Sequence, residues 1–219
     1  MLNIAKHRMI LMKLLKDFFS SSLWSLLAFK GWTSAYFFHG LERFSTDLDF
    51  DFFGDFGVDE IAETILKKYG KIKKDTKIIL SYGETDTNIK IDINRNIWKN
   101  NQYEILDFYG TEVKIQNKTT LFSNKLVALS EKFINRDIYD VYFFFNHLFE
   151  VNPALIEERT WKDLKNFYRD LKNKLESLPK DYKILDGLWE VITEKQKYFV
   201  KTKLIQELIN IIAMQIDFC

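Results

Sequence analysis

The chain has only one cysteine, Cys219, which excludes an internal disulfide and a zinc site built from cysteines. A protein without disulfides suits a reducing compartment, so we expect a cytoplasmic protein. Proline and glycine are also scarce, with two and eight residues among 219, and this scarcity predicts long regular elements with few structureless linkers. Hydrophobic residues, at 47%, and aromatic residues, at 16%, are by contrast ample for a packed core.

An excess of charge of either sign is also missing, because the formal net charge is only +1. Any contact with nucleic acid would therefore need a local basic patch rather than a basic domain. The best candidate is a run of lysines interrupted only by Asp75, namely Lys67, Lys68, Lys71, Lys73, Lys74 and Lys77. Such a run is more often a solvated helix end followed by an edge strand, and this interpretation is the alternative.

Long apolar runs are missing from the N-terminal region. Lys13, Lys16 and Asp17 interrupt the apolar residues that follow Arg8 before they reach the length of a signal peptide or a membrane span. The spacing instead predicts an amphipathic helix with an apolar face made of Ile10, Leu11, Leu14, Leu15 and Phe18. We therefore expect no membrane partner.

Alternating aspartates follow a small-residue turn in the stretch 29–51. The alternation over 47–53 predicts a strand whose apolar residues, Leu48, Phe50 and Phe52, face a core. Asp47 and Asp49 then share the opposite face, roughly 6.6 Å apart along the strand, which is close enough to serve one metal cluster. Asp51 would lie roughly 13 Å from Asp47 and is expected at the exit of the strand, outside this pair.

Two other interpretations of these aspartates are open. An EF-hand loop also begins with alternating aspartates, but it needs glycine at its sixth position and glutamate at its twelfth, where this chain has Phe52 and Val58. The carboxylates could also be solvated groups on a polar strand face. The small-residue turn before them favours a functional site.

The remaining pattern predicts an α/β region followed by an all-helical region. The first region is predicted to contain strands at 23–29, 77–82, 87–93 and 103–115 and helices at 35–39 and 58–69. From Thr119 onward only helical periods occur, over 121–133, 137–149, 155–178 and 185–216. We therefore place a boundary near residue 117, which gives domains at 1–117 and 118–219.

A further carboxylate, Asp92, lies between Ile91 and Ile93 on the most regular of these strands. The isoleucines face one way, and Lys90 and Asp92 face the other. Asp92 is therefore a candidate third metal ligand. A polar residue on a half-exposed strand is the alternative.

Four motifs then occur in order along the chain. They are a turn followed by an arginine and an S-x-D-x-D strand, an apolar-acid-apolar strand, a lysine near the start of the helical region, and an R-D-x-x-D helix. The residues are Lys30-Gly31-Trp32-Thr33, Arg43, Ser45-Thr46-Asp47-Leu48-Asp49, Ile91-Asp92-Ile93, Lys125 and Arg136-Asp137-Ile138-Tyr139-Asp140. In this combination the chain, over about 29–145, resembles the nucleotidyltransferase toxins related to the AbiEii abortive-infection protein, within the polymerase-beta-like nucleotidyltransferase superfamily.

This resemblance implies an α+β fold, in which a polymerase-beta-like nucleotidyltransferase domain with a small mixed sheet flanked by helices is followed by an all-α helical domain that completes the cleft. It implies an enzyme that moves a nucleoside monophosphate from an NTP to an RNA acceptor, expected to be tRNA. Such an enzyme would be the toxin of a toxin–antitoxin or abortive-infection system, with a cognate antitoxin protein as partner. The expected cofactor is Mg²⁺, as one or two ions with Mn²⁺ as a substitute, because magnesium suits an all-carboxylate site.

The resemblance also implies roles for single residues. The catalytic metal ligands would be Asp47, Asp49 and Asp92. Lys125 would stabilise negative charge on the nucleotide phosphates. Nucleotide and phosphate binding would use Lys30, Gly31, Trp32, Thr33, Arg43, Ser45, Lys125, Asp137 and Asp140. Arg43 could equally form a structural ion pair with Glu42 or Asp47. No histidine cluster argues for zinc, since each histidine is expected at the surface or the edge of the core: His7, His39 and His147.

Trp32 is the departure from the family pattern, which usually has glycine or serine at this place. A small residue lets backbone N–H groups approach the phosphates. If the turn needs a left-handed residue here, tryptophan would cost roughly 1 to 2 kcal/mol. The indole could instead point away from the phosphates or offer a stacking face to a base.

Two other functions remain open at this point. The same carboxylates could serve nucleotidylation or phosphorylation of a protein hydroxyl. Alternatively, the chain could be a catalytically silent nucleotide-binding module in which Trp32 marks a lapsed phosphate turn, although clustered carboxylates would then repel one another without benefit.

Overall fold

The computed structural model of the chain describes residues 3–74, 78–83, 87–179, 181–189 and 192–219. The chain divides into two compact units. The first unit consists of Met1–Gly40, Phe44–Ile97 and Tyr103–Asn117, and the second of Leu41–Arg43, Trp98–Gln102 and Lys118–Cys219. The chain therefore passes from the first unit to the second for the last time between residues 117 and 118. Two short segments from the N-terminal half of the chain also belong to the second unit.

A mixed β-sheet forms the centre of the first unit. Its seven described strands are β1 (Leu27–Lys30), β2 (Leu48–Phe52), β3 (Lys71–Lys74), β4 (Ile78–Tyr82), β5 (Thr87–Asn94), β6 (Tyr103–Asp107) and β7 (Glu112–Gln116). They are ordered β3-β4-β5-β2-β1-β7-β6. The pairs β1–β7 and β2–β5 are parallel, and the other neighbours are antiparallel. β2 therefore lies in the middle of the sheet, with its hydrogen-bonding groups paired on both sides.

The alternation of β2 decides which face of the sheet is apolar. Leu48, Phe50 and Phe52 are buried in the hydrophobic core, as the sequence predicts. Helix α1 (Ile4–Phe19) contributes the predicted apolar residues to the same core, and its Phe18 ring lies 5.1 Å from the ring of Phe50. Two shorter helices, α2 (Gly31–Phe38) and α3 (Asp59–Leu66), complete the described elements of this unit.

The lysine run falls at the edge of the sheet. Lys67 forms an ion pair with Glu63 at 3.8 Å, and Lys68 forms one with Asp17 at 3.2 Å. The next lysines belong to β3, which pairs only with β4 in the strand order and is therefore the edge strand of the alternative interpretation. Lys77 and Asp75 lie outside the described residues.

Two predicted strands have different limits in the structure. The strand predicted at 23–29 is shorter and begins at Leu27. The segment predicted as one strand at 103–115 is a hairpin of β6 and β7. It turns because the Asp107 carboxylate accepts hydrogen bonds from the backbone N–H of Gly110, at 3.0 and 3.3 Å, and because Tyr109 and Gly110 both have positive φ.

All described elements of the second unit are helices. They are α4 (Lys118–Lys132), α5 (Asn135–Asn146), α6 (Pro153–Thr160), α7 (Leu164–Glu176), α8 (Glu194–Thr202) and α9 (Leu204–Phe218). The predicted α+β class, with a mixed sheet and a helical C-terminal part, is confirmed. No helix within the described ranges is both long enough and apolar enough to cross a membrane.

Two long helices predicted from the sequence are shorter in the structure. The helix predicted at 155–178 is broken at Trp161, whose φ of 59° ends α6, and Asp163 then caps α7 by accepting from Asn166 N–H. The helix predicted at 185–216 starts only at Glu194, after a capping box formed by Thr193 and Gln196. The first break carries no glycine or proline, so periodicity alone missed it, whereas Gly187, with a φ of +76°, lies in the segment before α8.

Candidate active site

The face of the sheet opposite the apolar core carries acidic residues at its centre. In the strand register, Asp49 of β2 pairs with Lys30 of β1 on one side and with Asp92 of β5 on the other. Residues that pair across neighbouring strands point to the same face, and such strands lie about 4.8 Å apart. The structure therefore places the side chains of Asp49 and Asp92 next to each other, although 43 positions separate them in the sequence.

Asp47 lies just outside this strand register. The sequence predicts a strand from Asp47, but β2 begins at Leu48. One carboxylate oxygen of Asp47, Oδ1, is 3.4 Å from the backbone nitrogen of Lys90 and 3.4 Å from the hydroxyl of Thr46. The side chain of Asp47 therefore lies beside β5 at Lys90, two residues before Asp92.

The donor set of this face suits a hard divalent cation. Among the described residues, no group of three or more His, Cys, Asp or Glu side chains is close enough to form a complete metal cluster. Mg²⁺, however, is usually held by one or two carboxylates and completed by substrate phosphates and water. Asp49 and Asp92, as neighbouring carboxylates with Asp47 beside them, meet this simpler requirement.

Gly31 forms the turn between β1 and α2 and lies against Asp49. Its φ is +73°, a conformation that favours glycine, and a Cβ atom at this position would lie only 2.5 Å from Asp49 Oδ2. The left-handed residue of the turn is therefore Gly31, whereas Trp32 is the second residue of α2. The backbone penalty considered for Trp32 does not arise.

Thr33 and Ser45 connect the first turn of α2 to the segment before β2. Their hydroxyls are hydrogen-bonded to each other at 2.9 Å, and the Thr33 hydroxyl also donates to the backbone carbonyl of Asp47. Both residues are buried. They hold the turn against Asp47, and their predicted role in phosphate binding stays a prediction.

Asp51 has a structural role that the sequence did not predict. It is the fourth of the five residues of β2, near the end of the strand, and it is only 1% exposed. Its carboxylate forms an ion pair with Lys30 Nζ at 2.6 Å and accepts hydrogen bonds from Tyr103 at 2.8 Å and Gln116 at 2.7 Å. Lys30, predicted to bind phosphate, is thus held by Asp51 in this structure.

The second unit contains a buried cluster of charges. Arg43 binds Asp140 through two hydrogen bonds, from Nε at 2.5 Å and from Nη2 at 2.6 Å. Lys125 donates to Asp137 and lies 3.9 Å from the Asp140 carboxylate. Arg43 therefore forms its buried ion pair with Asp140, which lies far from Glu42 and Asp47 in the sequence.

The charges of this cluster balance each other. Burial lowers the pKa of Lys125, while the charges of Asp140 and Asp137 oppose that shift. Burial raises the pKa of Asp140, and the Arg43 guanidinium opposes that shift. Two cations and two carboxylates therefore compensate one another in a dehydrated environment, where removal of any one would leave an unbalanced charge.

His7 is more deeply buried than the sequence predicts. It was expected at the surface or the core edge, but it is 1% exposed. Its Nε2 is 2.9 Å from the backbone carbonyl of Thr46, and its Nδ1 is hydrogen-bonded to the Tyr82 hydroxyl. A signal was present, because His7 lies three residues before Ile10 and thus continues the apolar face of α1.

Several solved structures share this fold. JHP933 from Helicobacter pylori has a TM-score of 0.66 and 23% identity, over 98% of this chain and 92% of that one. A second structure, of a candidate nucleotidyltransferase from Helicobacter pylori, has a TM-score of 0.61 and 22% identity, over 98% and 95% of the two chains. MenT4, a nucleotidyltransferase toxin of Mycobacterium tuberculosis H37Rv, has a TM-score of 0.59 and 15% identity, over 94% and 83%.

The sequence itself also matches a family. No curated protein matches it significantly. The model of the nucleotidyl transferase AbiEii toxin family, described as a type IV toxin–antitoxin system, matches residues 13–210. This range contains every predicted site residue and confirms the resemblance. The chain therefore belongs to the nucleotidyl transferase AbiEii toxin family and is a nucleotidyltransferase.

Proposed function

We propose that this toxin-family nucleotidyltransferase transfers a nucleoside monophosphate from an NTP to an RNA acceptor, with tRNA as the acceptor, in a reaction that depends on a divalent metal ion. The observation that carries the proposal is the register of β2 and β5, which sets Asp49 beside Asp92 next to the Gly31 turn. The choice of an RNA acceptor comes from the family resemblance. Family membership also implies a nucleotide substrate and a cognate antitoxin.

The proposed metal ligands are Asp49 and Asp92, with Asp47 beside them. These carboxylates would hold Mg²⁺, which would supply activation of the attacking hydroxyl and neutralisation of negative charge on the triphosphate and the departing pyrophosphate. The carboxylates supply the hard oxygen ligands that Mg²⁺ prefers, while β2 and β5 fix their spacing because both strands are paired in the sheet interior.

The Gly31 turn is the proposed binding element for the phosphates. Glycine lets the backbone of the turn approach Asp49 closely, and the N–H groups in the first turn of α2 point toward the N-terminus of that helix. Such N–H groups favour an anion. Thr33 stabilises this arrangement by tying α2 to the backbone of Asp47.

Lys125 is the proposed cation for the nucleotide phosphates, as the resemblance implies. Its ammonium group is held by Asp137 and Asp140, so the side chain is ordered before any ligand binds. An ordered cation loses less entropy on binding than a free surface lysine. We assign Asp137 and Asp140 the role of orienting Lys125, and Arg43 the role of balancing Asp140.

The test is transfer of label from each NTP, labelled at the α or the γ phosphate, with tRNA and Mg²⁺. We expect α label on the RNA and its loss in Asp49→Asn and Asp92→Asn. Glu112→Gln, which changes an exposed carboxylate on β7, is the matched control and should keep activity. Label on protein would contradict the RNA acceptor, with α label indicating nucleotidylation and γ label phosphorylation. No label from any NTP, with Asp49→Asn equal to the wild type, would identify a silent module.

A further inference from the structure

His7 occupies a fixed position between α1 and the segment that leads to β2. The Thr46 carbonyl can only accept a hydrogen bond, so Nε2 of His7 must carry the proton and donate it over the 2.9 Å distance. Nδ1 of the neutral ring is then an acceptor, which the Tyr82 hydroxyl satisfies. The Phe44 ring meets the imidazole edge-on, with 5.6 Å between ring centroids and 77° between their planes.

Burial favours the uncharged forms of both His7 and its hydrogen-bond partner Tyr82. Burial lowers the pKa of His7, although the hydrogen bond to Thr46 and the charge of Asp47 oppose the shift. Burial raises the pKa of Tyr82 to about 12. The ring is therefore an uncharged group with one defined tautomer, which is suited to holding a backbone carbonyl in place.

Asp47 needs such support because no strand pairing holds it. The register of β2 with β5 starts at Leu48, which pairs with Ile91. The backbone around Asp47 is instead held by two buried side chains from different helices. His7 binds the carbonyl of Thr46, directly before Asp47, and Thr33 binds the carbonyl of Asp47 itself.

We propose that His7 is a positioning residue that fixes the peptide between Thr46 and Asp47 and thereby orients the Asp47 carboxylate toward a divalent cation. This inference rests on the proposed function, because it requires Asp47 to be a cation ligand. A group that orients a metal ligand from outside the ligand shell typically changes metal affinity or activity by about 10- to 100-fold when it is removed. Such groups change the metal affinity without contacting the metal.

The test compares Mn²⁺ binding, measured by electron paramagnetic resonance of the free ion, in folded variants of the full chain. His7→Phe keeps a buried ring but loses the donor, and its Mn²⁺ affinity should fall by about 10- to 100-fold. His7→Gln places an amide N–H near the position of Nε2 and should retain most of the affinity. Leu11→Ala is the control for general loosening, since Leu11 is buried one turn along α1 and should leave Mn²⁺ affinity unchanged.

The outcomes separate a failure of the role proposed for His7 from a failure of the proposed metal site. If His7→Phe binds Mn²⁺ like the wild type while Asp47→Asn has lost binding, the role of His7 is refuted and the metal site stands. Equal losses in His7→Phe and Leu11→Ala would show a purely structural role and would also refute it. If the wild type and Asp49→Asn bind Mn²⁺ equally, the proposed metal site fails, and the inference about His7 fails with it.

Discussion

Replacement of Gly31 by alanine should damage the active site more than the fold. The added Cβ would lie 2.5 Å from Asp49 Oδ2, whereas ordinary contacts begin at 3.4 Å, so the carboxylate or the turn must move by about 0.9 Å. The left-handed φ costs about 1 to 2 kcal/mol for alanine, and a carboxylate forced off its rotamer costs about 0.5 to 1.5 kcal/mol more. We expect a loss of about 1.5 to 3.5 kcal/mol in the free energy of unfolding.

The effect on catalysis should be larger, because a misplacement of about 1 Å at a reacting centre can lower the rate about 100-fold. Gly40→Ala is a matched control. Its φ of +70° is nearly the same, but an added Cβ would meet nothing within 4 Å. It should therefore show only the backbone penalty of about 1 to 2 kcal/mol and should keep its transferase activity.

The assay combines urea denaturation with initial rates of transfer of α-labelled nucleotide. Gly31→Ala should lose rate and Gly40→Ala should not, while both lose stability. The reasoning would be refuted if the two variants lost activity to the same extent, because the contact with Asp49 would then have no consequence beyond the strained turn.

Three further predictions concern the buried charges and His7. Arg43→Ala should lower the free energy of unfolding by about 3 to 5 kcal/mol in urea denaturation, because it leaves Asp140 buried without its partner; an unchanged midpoint would contradict the ion pair. Asp51→Asn should also destabilise the protein, since Lys30 loses its counter-charge, and added salt should reduce the loss because Lys30 is partly exposed. The folded pKa of His7 lies below its ordinary value of 6.5, so the unfolded chain binds more protons and stability should fall as the pH drops below 6.5. His7→Gln should weaken this pH dependence, and the same slope in both proteins would count against it.

Local pattern was enough to predict much of the sheet and the helical C-terminal part. Alternation identified β2 and β5, because every second residue there is apolar and the sheet buries one face. It could not predict that β5 lies parallel beside β2 and that Asp92 pairs with Asp49, because strand order depends on packing between distant segments. The family motifs predicted that Asp49 and Asp92 act together, which periodicity alone could not predict.

Long-range pairing explains the errors in the site. Arg43 binds Asp140, 97 positions later in the sequence, and a pattern-based analysis considers only nearby acids such as Glu42. Two of the partners of Asp51, Tyr103 and Gln116, are likewise 52 and 65 positions away. His7 differs from these, because its place on the apolar face of α1 was visible in the sequence and a buried histidine needs polar partners.

Transfer of α label from an NTP to tRNA by the wild type and by Asp92→Asn tests the central claim most directly. Asp92 is brought next to Asp49 by the pairing of β2 with β5. We predict labelled RNA with the wild type, and with Asp92→Asn a loss of rate of at least about 100-fold at unchanged folding. Equal labelling by both proteins would contradict the account, because the paired carboxylates would then not be the centre of nucleotidyl transfer.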